Sequence, residues 1–538
     1  LGGGIFLRTD RAVTATRAFG AASRFGASTR GRKEEDAYHG REQLSDRVWR
    51  SVRPLQEGGS TERTDPEPGP TGDDPEPHPT SDDGIDRRAL VTRHDVSLSE
   101  PDPLAPLTVG NGEFAFTADV TGLQTFPGFH DDGMPLHTQS HWGWHRIPPE
   151  EAYDLADAVA TYEVDGRAVP YASETDTPAG EWLRANPHRL DLGRVGLDLR
   201  TADGDEASPG DLTDVDQTLD LWHGRLTSRF AVDGASVRVE TVAHPETDAV
   251  AVRVESPLLG AERAGVRLAF PYGAPDWRGT ADWSSPERHR TEMTTSPERD
   301  GTGAASSPER DGTGTADGAT AAFERTLDET TYRVDVAHSA GDLAAADDPH
   351  EYRLFAPDAD ALELVVRFAE EDPGTPLPRF DETRRATADH WEAFWRRGGA
   401  VDLSGSDDPR WRELERRIVL SQYQTALNSA GSLPPQETGL VTNSWYGKFH
   451  LEMHWWHGVH FALWDRFDLL ERSLSYYEDV FEDLPPAMLE AFGIESLSTI
   501  EGFLGAQVFN FVWLLGLGLY FAYVASGIVA RDIETERM

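Results

Sequence analysis

Short runs of alternating apolar and polar residues recur between about residues 88 and 370, separated by Gly, Asp and Pro. Successive side chains of a strand point to opposite faces, so Val237-Arg-Val-Glu-Thr-Val242 predicts a half-buried antiparallel strand. The clearest runs are Gly112–Val120, Leu226–Val232, Ala235–Ala243, Ala249–Glu255 and Ala264–Phe270. Many strands at regular spacing predict a β-sandwich.

The pattern changes to a helical period near residue 380, which predicts an α-helical second half. Four helices are predicted, over Asp381–Arg397, Asp408–Ala430, His450–Leu463 and Leu469–Phe481. The first helix carries Trp391 and Trp395 at helical spacing. In the second, Trp411, Leu414 and Ile418 form the predicted apolar face.

Two segments have compositions that cannot bury a core. Residues 1–87 combine a basic start with a Pro- and acid-rich stretch, and they are predicted to be a disordered N-terminal arm and acidic linker. The sequence Ser296-Pro-Glu-Arg-Asp-Gly-Thr-Gly303 recurs as Ser307–Gly314, which predicts a flexible insertion in the sandwich over residues 284–318.

The chain contains 94 acidic and 50 basic residues, and its formal net charge is −44. This excess resembles proteins of salt-accumulating halophiles, in which carboxylates keep the surface hydrated. The charge disfavours a nucleic acid partner, because phosphates would be repelled. The absence of Cys excludes disulfides and thiolate metal sites.

Residues 502–530 contain no charged side chain, and roughly 20 apolar residues suffice to span a bilayer. They predict one C-terminal transmembrane helix and hence a membrane-associated protein, or a cytoplasmic one if the tail is not inserted. A core helix is the alternative. Arg531 and Arg537 follow the segment, so the positive-inside rule places the C-terminus in the cytoplasm.

In the segment Asn443–Arg466, four Trp and four His flank the carboxylate of Glu452 along the sequence. The segment also holds Lys448, one of only two lysines in the chain. Flat rings and polar tips suit a sugar ligand, whereas a buried helix contact is the alternative. The candidate catalytic residues are Glu452, His450 and Lys448. The candidate substrate-binding residues are Asn443, Trp445, His454, Trp455, Trp456 and His457, with Trp142 and Trp144 from a second cluster in the predicted loop Thr138–His145.

Other roles remain open for several of these residues. Lys448 could bind a sugar hydroxyl or a substrate carboxylate, or it could form an internal ion pair. His450 and His454 are spaced as a zinc-binding pair, although the sequence has no H-E-x-x-H motif.

Three stretches resemble glycosidases with a six-hairpin (α/α)6 barrel. Asp102–Glu113 (DPLAPLTVGNGE) resembles the opening of their N-terminal supersandwich domain. Gln422–Gly439 resembles the first barrel helix and the loop into the active site. Lys448–Trp456 (KFHLEMHWW) is similar to the N-x-N-x-E-M-N-Y-W motif of glycoside hydrolase family 95, and family 65 is a more distant relative.

The resemblance implies hydrolysis of a glycosidic bond by an inverting mechanism, in which two carboxyl groups lie about 6.5–9.5 Å apart. It implies no metal and no cofactor. Lys448 and His450 replace the first two Asn of the motif, and His454 and Trp455 replace its third Asn and its Tyr. The fucose specificity of the family is therefore not implied, and phosphate remains possible as the acceptor.

The predicted domains are a supersandwich at 88–376, a linker helix with a partial barrel at 377–484, and a tail at 485–538. The tail resembles a fragment of an ABC-2 type transporter permease. A barrel that ends near Leu484 lacks the later helix that supplies the general acid in these families. The chain is therefore predicted to be a glycoside hydrolase-like protein with impaired activity. The alternatives are a non-catalytic, membrane-anchored carbohydrate-binding protein and a non-functional fusion.

Overall fold

The computed structural model describes residues 84–476, except 154, 165, 172–175, 297–318 and 450–452. The predicted N-terminal arm up to residue 83 and the predicted permease-like tail lie outside the described residues, as does the predicted membrane span 502–530. Within the described part of the chain, no helix is both long enough and apolar enough to cross a bilayer.

The described residues contain a long series of strands, and all of their pairings are antiparallel. The strands are β1 Val96–Leu98, β2 Leu107–Gly110, β3 Phe114–Ala118, β4 Thr138–Ser140, β5 Trp144–His145, β6 Ala160–Val164, β7 Arg167–Tyr171, β8 His188–Arg189, β9 Arg194–Leu199, β10 Leu212–Asp220, β11 Arg225–Val232, β12 Ala235–Ala243, β13 Ala249–Glu255, β14 Ala264–Ala269, β15 His289–Ser296, β16 Ala319–Leu327, β17 Thr330–His338, β18 Asp342–Ala345, β19 Glu351–Phe355 and β20 Ala361–Ala369.

Helices flank the strands and then follow them. The α-helices are α1 Arg87–Thr92, α2 Pro127–His130, α3 Pro178–Ala185, α4 Pro257–Gly260, α5 Phe380–Arg396, α6 Trp411–Ser429, α7 His454–Leu463 and α8 Phe467–Leu474. The last four are the part of the predicted linker helix and partial barrel that the structure describes, and their membership of an (α/α)6 toroid remains a prediction.

The largest sheet has nine strands in the order β1-β10-β11-β12-β13-β20-β17-β16-β15. A three-stranded sheet (β2-β3-β4) and a four-stranded sheet (β18-β19-β14-β9) pack on it. Phe114 of β3 meets Phe368 of β20, with ring centroids 5.9 Å apart, and Phe323 of β16 meets Tyr352 of β19 at 4.6 Å. These buried rings join the sheets in one core, which confirms the predicted sheet-rich fold.

The helical half begins on the opposite face of the large sheet. Phe380 at the start of α5 packs with Val242, Ala251 and Val365 of the sheet. Further along α5, the ring of Trp391 lies 4.5 Å from that of Tyr423 in α6. The predicted helical spacing thus places the aromatic residues of α5 against both the sheet and the next helix.

The buried face of α6 differs from the predicted one. Leu414 is 54% exposed, so its prediction as a core-facing residue was wrong. The buried residues of this helix are Glu415, Val419, Gln422, Tyr423, Ala426, Leu427 and Ser429. Glu415, Gln422 and Tyr423 carry polar groups that find partners elsewhere in the chain, so counting apolar residues alone misplaces the face.

Glu415 is the clearest of these buried polar residues. Its carboxylate accepts hydrogen bonds from Arg93 Nε at 2.7 Å and from the Leu403 amide at 2.6 Å, and it contacts His94 Nε2 at 2.6 Å. Burial alone would raise the pKa of Glu415, but these partners outweigh it and lower the pKa below 4.5. The carboxylate ties α6 to the segment that follows α1.

Two predicted loops contain regular structure. The predicted loop Thr138–His145 is two short strands, β4 and β5, joined by a tight turn. The predicted insertion 284–318 begins too early, because His289–Ser296 form β15, which pairs with β16 at the edge of the large sheet. Residues 297–318 lie outside the described part of the chain.

Candidate functional site

The loop of residues 443–449, here called the junction loop, is seated on the sandwich. Asn443 donates from Nδ2 to the carbonyl of Gly279 at 3.0 Å, and the amide of Tyr446 donates to the carbonyl of Trp277 at 3.2 Å. The backbone of Phe449 forms a bridge with Gln436. These bonds place a loop of the helical half against connections between sandwich strands.

Lys448 caps a helix of the sandwich. Its ammonium donates to the carbonyls of Leu183 at 3.1 Å and Asn186 at 2.9 Å, at the C-terminal end of α3. A cation at this end is stabilised by the unpaired carbonyls and the helix dipole. Burial, followed by the charge of Arg146, lowers the pKa of Lys448 to about 8. In the structure, Lys448 fixes the junction loop to α3.

The backbone of the junction loop is strained. Trp445, Tyr446 and Gly447 have φ values of 53°, 59° and 69°, so three successive residues are left-handed. Each non-glycine residue in this region costs roughly 1–3 kcal/mol, and such residues cluster at functional sites. A side chain at Gly447 would also place its Cβ 2.3 Å from the Cβ of Arg189, so only glycine fits without movement.

The strained turn holds an indole at the surface. Trp445 is 41% exposed, and its ring centroid lies 3.7 Å from that of Trp277 at an interplanar angle of 51°. The guanidinium of Arg184 lies over Trp277, 5.5 Å from the ring centroid. Two indoles and a cation therefore border one exposed surface.

Buried polar atoms without partners lie next to Gly447 of the junction loop. Among the described residues, Gln436 has no hydrogen bond at either side-chain atom, nor has Asn443 at Oδ1. Both amide oxygens face the Cα of Gly447, since a Cβ built there would lie 2.8 and 2.9 Å from them. A buried amide without a partner costs roughly 1–3 kcal/mol, which a bound water or ligand hydroxyl would offset.

Arg189 completes this cluster. It is fully buried, and Nη1 donates to the carbonyls of Ser140 and His141, while Nε and Nη2 find no hydrogen-bond partner among the described residues. The guanidinium lies 3.9 Å from the ring centroid of Trp144, a cation–π contact. Burial lowers the pKa of Arg189 to about 9. Trp144 also meets Phe449 edge-on at 5.4 Å.

The predicted residues on α7 are placed apart from these contacts. His454 is buried and pairs through Nε2 with Ser473 Oγ of α8 at 2.8 Å. Burial, followed by the nearby His457, lowers the pKa of His454 to about 4, so the ring is neutral at pH 7. His457 is also buried, Trp455 is partly exposed, and Trp456 is 61% exposed.

Trp142 is held inside the sandwich. Its Nε1 donates to Asp248 Oδ2 at 2.7 Å, and Ser140 Oγ donates to the same oxygen. Its ring lies 6.0 Å from that of Tyr332. Burial raises the pKa of Asp248. These contacts anchor Trp142 next to the turn that carries Trp144.

Two of the three candidate catalytic residues, His450 and Glu452, lie outside the described residues. In the part of the chain that is described, no three side chains of the His, Asp, Glu or Cys type are grouped as metal ligands. Of the predicted site residues, the structure brings together Asn443, Trp445, Lys448 and Trp144 around the junction loop.

The sequence reading missed Arg189, Trp277, Arg184 and Gly447. Arg184 lies in α3, Arg189 in β8 and Trp277 in the connection after β14, so they are far from the junction loop in sequence. Gly447 carries no chemical signal of its own. The segment Pro275-Asp-Trp-Arg-Gly279 offered one clue, because it is another aromatic and polar stretch between strands.

No protein-family model matches this chain, and no curated protein matches it. Solved structures that resemble it include a protein assigned as a kojibiose phosphorylase from the human microbiome, at 10% identity and a TM-score of 0.40. A family GH92 glycosyl hydrolase matches at 12% identity and a TM-score of 0.30. A family GH92 α-mannosidase from Bacteroides thetaiotaomicron matches at 10% identity and a TM-score of 0.22.

These matches cover 66%, 63% and 64% of this chain, respectively, but only 45%, 41% and 41% of the three structures. The chain thus spans less than half the length of these three structures.

Proposed function

We propose that this chain binds a carbohydrate on the junction loop, at the rings of Trp445 and Trp277. The observation that carries the proposal is the 41% exposed indole of Trp445, which a left-handed turn holds 3.7 Å from a second indole. Exposed aromatic faces stack on the C–H faces of pyranose rings. Strain that keeps such a ring in water is typical of a binding site.

The polar atoms without partners next to Gly447 suit a ligand rich in hydroxyls. Gln436 offers both a donor and an acceptor without a protein partner among the described residues, and Asn443 offers an acceptor. Sugar sites combine aromatic platforms with a few fixed polar groups of this kind. Because Lys448 is bonded to two carbonyls, we assign it the role of holding the loop in place rather than contacting the sugar.

The finer proposal is that the bound sugar is a glycoside that the protein hydrolyses with inversion. Glu452 would be one of the two carboxyl groups, and His450 would orient water, since a neutral imidazole both donates and accepts. The motif resemblance and the position of Glu452, three residues after Phe449 in the sequence, support this assignment.

Binding is tested on a glycan array, followed by titration calorimetry with the best ligand. We expect Trp445→Ala to weaken binding at least tenfold, or about 1.4 kcal/mol. Trp283→Ala is the matched control, because Trp283 is 39% exposed and lies outside the junction loop and its contacts. Wild-type affinity in Trp445→Ala would refute the proposal, as would the absence of any glycan ligand.

Hydrolysis is tested by release of reducing ends from the bound glycan. We expect Glu452→Gln to retain binding and to lose any turnover shown by the wild type. The second candidate function is carbohydrate binding without catalysis, which the exposed Trp445 beside the partly exposed Trp277 supports equally well. Binding without turnover in the wild-type chain would select that function.

A further inference from the structure

The sandwich segments that contact the junction loop hold more cations than carboxylates. The loop contacts three sandwich segments, residues 144–149, 177–190 and 273–280, here called the cradle. The cradle and the loop together hold five basic residues (Lys or Arg) and two acidic residues (Asp or Glu). The whole chain has the opposite balance, with 50 basic and 94 acidic residues. The cations are Arg146, Arg184, Arg189, Arg278 and Lys448, and the carboxylates are Glu181 and Asp276.

The two carboxylates do not neutralise these cations by direct pairing. Among the described residues, none of the five cations forms an ion pair; Arg189 and Lys448 are bonded to neutral carbonyls. Asp276 accepts instead from the backbone amides of Arg278 and Gly279, at 2.9 and 2.8 Å. The cradle therefore carries a net positive charge inside a strongly acidic protein.

Two of the cations belong to residues beside Trp277. Arg184 lies over the ring of Trp277 at 5.5 Å, and Arg278 follows Trp277 in the chain. Both side chains are exposed. Arg189 lies fully buried below the loop, where the low dielectric strengthens its field at the surface.

We propose that the ligand of the junction loop is an anionic carbohydrate, a sugar chain whose units carry carboxylate or sulfate groups, bound through Arg184 and Arg278. This inference rests on the proposed function and names its substrate class. A planar guanidinium binds carboxylate and sulfate oxygens with two parallel hydrogen bonds. A pyranose stacked on Trp445 and Trp277 would place such a group at the edge of the aromatic pair.

The test compares ligands that differ only in charge. Titration calorimetry is run with an oligogalacturonate and with its methyl ester, at the lowest salt concentration that preserves the folded fluorescence spectrum. We expect the acid to bind at least tenfold more tightly than the ester and the difference to shrink as salt is added. Arg184→Gln and Arg278→Gln should remove most of the difference. Arg385→Gln, an equal loss of charge at an exposed position on α5, should leave it unchanged.

The outcomes separate this inference from the proposed function. Equal affinity for acid and ester would overturn the inference while leaving carbohydrate binding intact. Binding of neither ligand, with no neutral or sulfated glycan bound on the array, would refute the proposed function itself. A sulfated oligosaccharide that binds more tightly than its desulfated form would support the inference with sulfate as the anion, provided that the difference depends on Arg184 and Arg278 in the same way.

Discussion

Replacement of Gly447 by Ala tests whether the junction loop is shaped by its contacts with the sandwich. The residue has a φ of 69°, and a left-handed conformation costs Ala roughly 1–2 kcal/mol relative to Gly. The new Cβ would lie 2.3 Å from Arg189 Cβ and 2.8 Å from Asn443 Oδ1. Overpacking of this kind costs roughly 1–3 kcal/mol. We expect Gly447→Ala to lower the free energy of unfolding by about 2–5 kcal/mol.

Gly234→Ala supplies the matched control. Gly234 has a φ of 79°, but a Cβ built there meets no atom within 4 Å. Both substitutions therefore carry the left-handed cost, and only Gly447→Ala carries the clash. The difference between them, about 1–3 kcal/mol, measures the packing of the loop on Arg189.

Urea unfolding at constant KCl, followed by Trp fluorescence, gives both free energies, and calorimetry with a bound glycan gives the functional effect. Displacement of the loop moves Trp445, so Gly447→Ala should weaken binding at least tenfold while Gly234→Ala leaves it unchanged. Equal destabilisation by the two substitutions would refute the packing argument. Unchanged glycan binding in Gly447→Ala would show that the loop does not form the site.

Two further predictions concern buried charges. Glu415→Gln should destabilise the fold by about 3 kcal/mol, as expected for breaking a buried charge network, whereas Glu413→Gln on the exposed face of α6 should have no measurable effect in urea. Because the folded pKa of Glu415 lies below 4.5, its contribution is present above pH 4.5 and is lost at lower pH, so Glu415→Gln should flatten the loss of stability in acid. In NMR spectra of 13C-lysine-labelled protein, the Lys448 signal should titrate near pH 8. The Lys33→Arg variant assigns this signal, because it leaves Lys448 as the one lysine of the sequence. A titration midpoint above pH 10 would contradict the buried placement of Lys448. Since this folded pKa lies below 10.5, stability should increase as pH rises from 8 to 10.5.

Local patterns were sufficient to predict several strands and the helical second half. Ala235–Ala243 and Ala249–Glu255 were predicted with the bounds of β12 and β13, because alternation with a period of two residues is a direct consequence of strand geometry. The face of α6 could not be read this way. Glu415 and Gln422 are buried because Arg93 and Arg466, which lie far away in the sequence, supply their partners.

The candidate site was only partly predictable for the same reason. Asn443, Trp445 and Lys448 share one short segment, so their residue types alone indicated a site. Trp277 and Arg189 join them only when the connection after β14 and strand β8 fold against that segment. Gly447 gives no chemical signal in a sequence, although its backbone conformation determines where Trp445 stands.

The acidic composition of the chain makes it unusual that the arginines of the cradle are unpaired among the described residues. Elsewhere on the sandwich, Arg238, Arg253 and Arg353 each pair with a carboxylate, as expected where acids outnumber bases. In the cradle, Arg184 and Arg278 are surrounded by the same acidic chain yet form no such pair within the described residues. Exposed cations without a carboxylate add little to stability, since even paired surface charges contribute about 0–1 kcal/mol. Arg184 also lies in the last turn of α3, where the helix dipole stabilises a cation, but no such contact in the described part of the chain accounts for Arg278. The proposed recognition of an anionic sugar would account for both cations beside the exposed indole of Trp445.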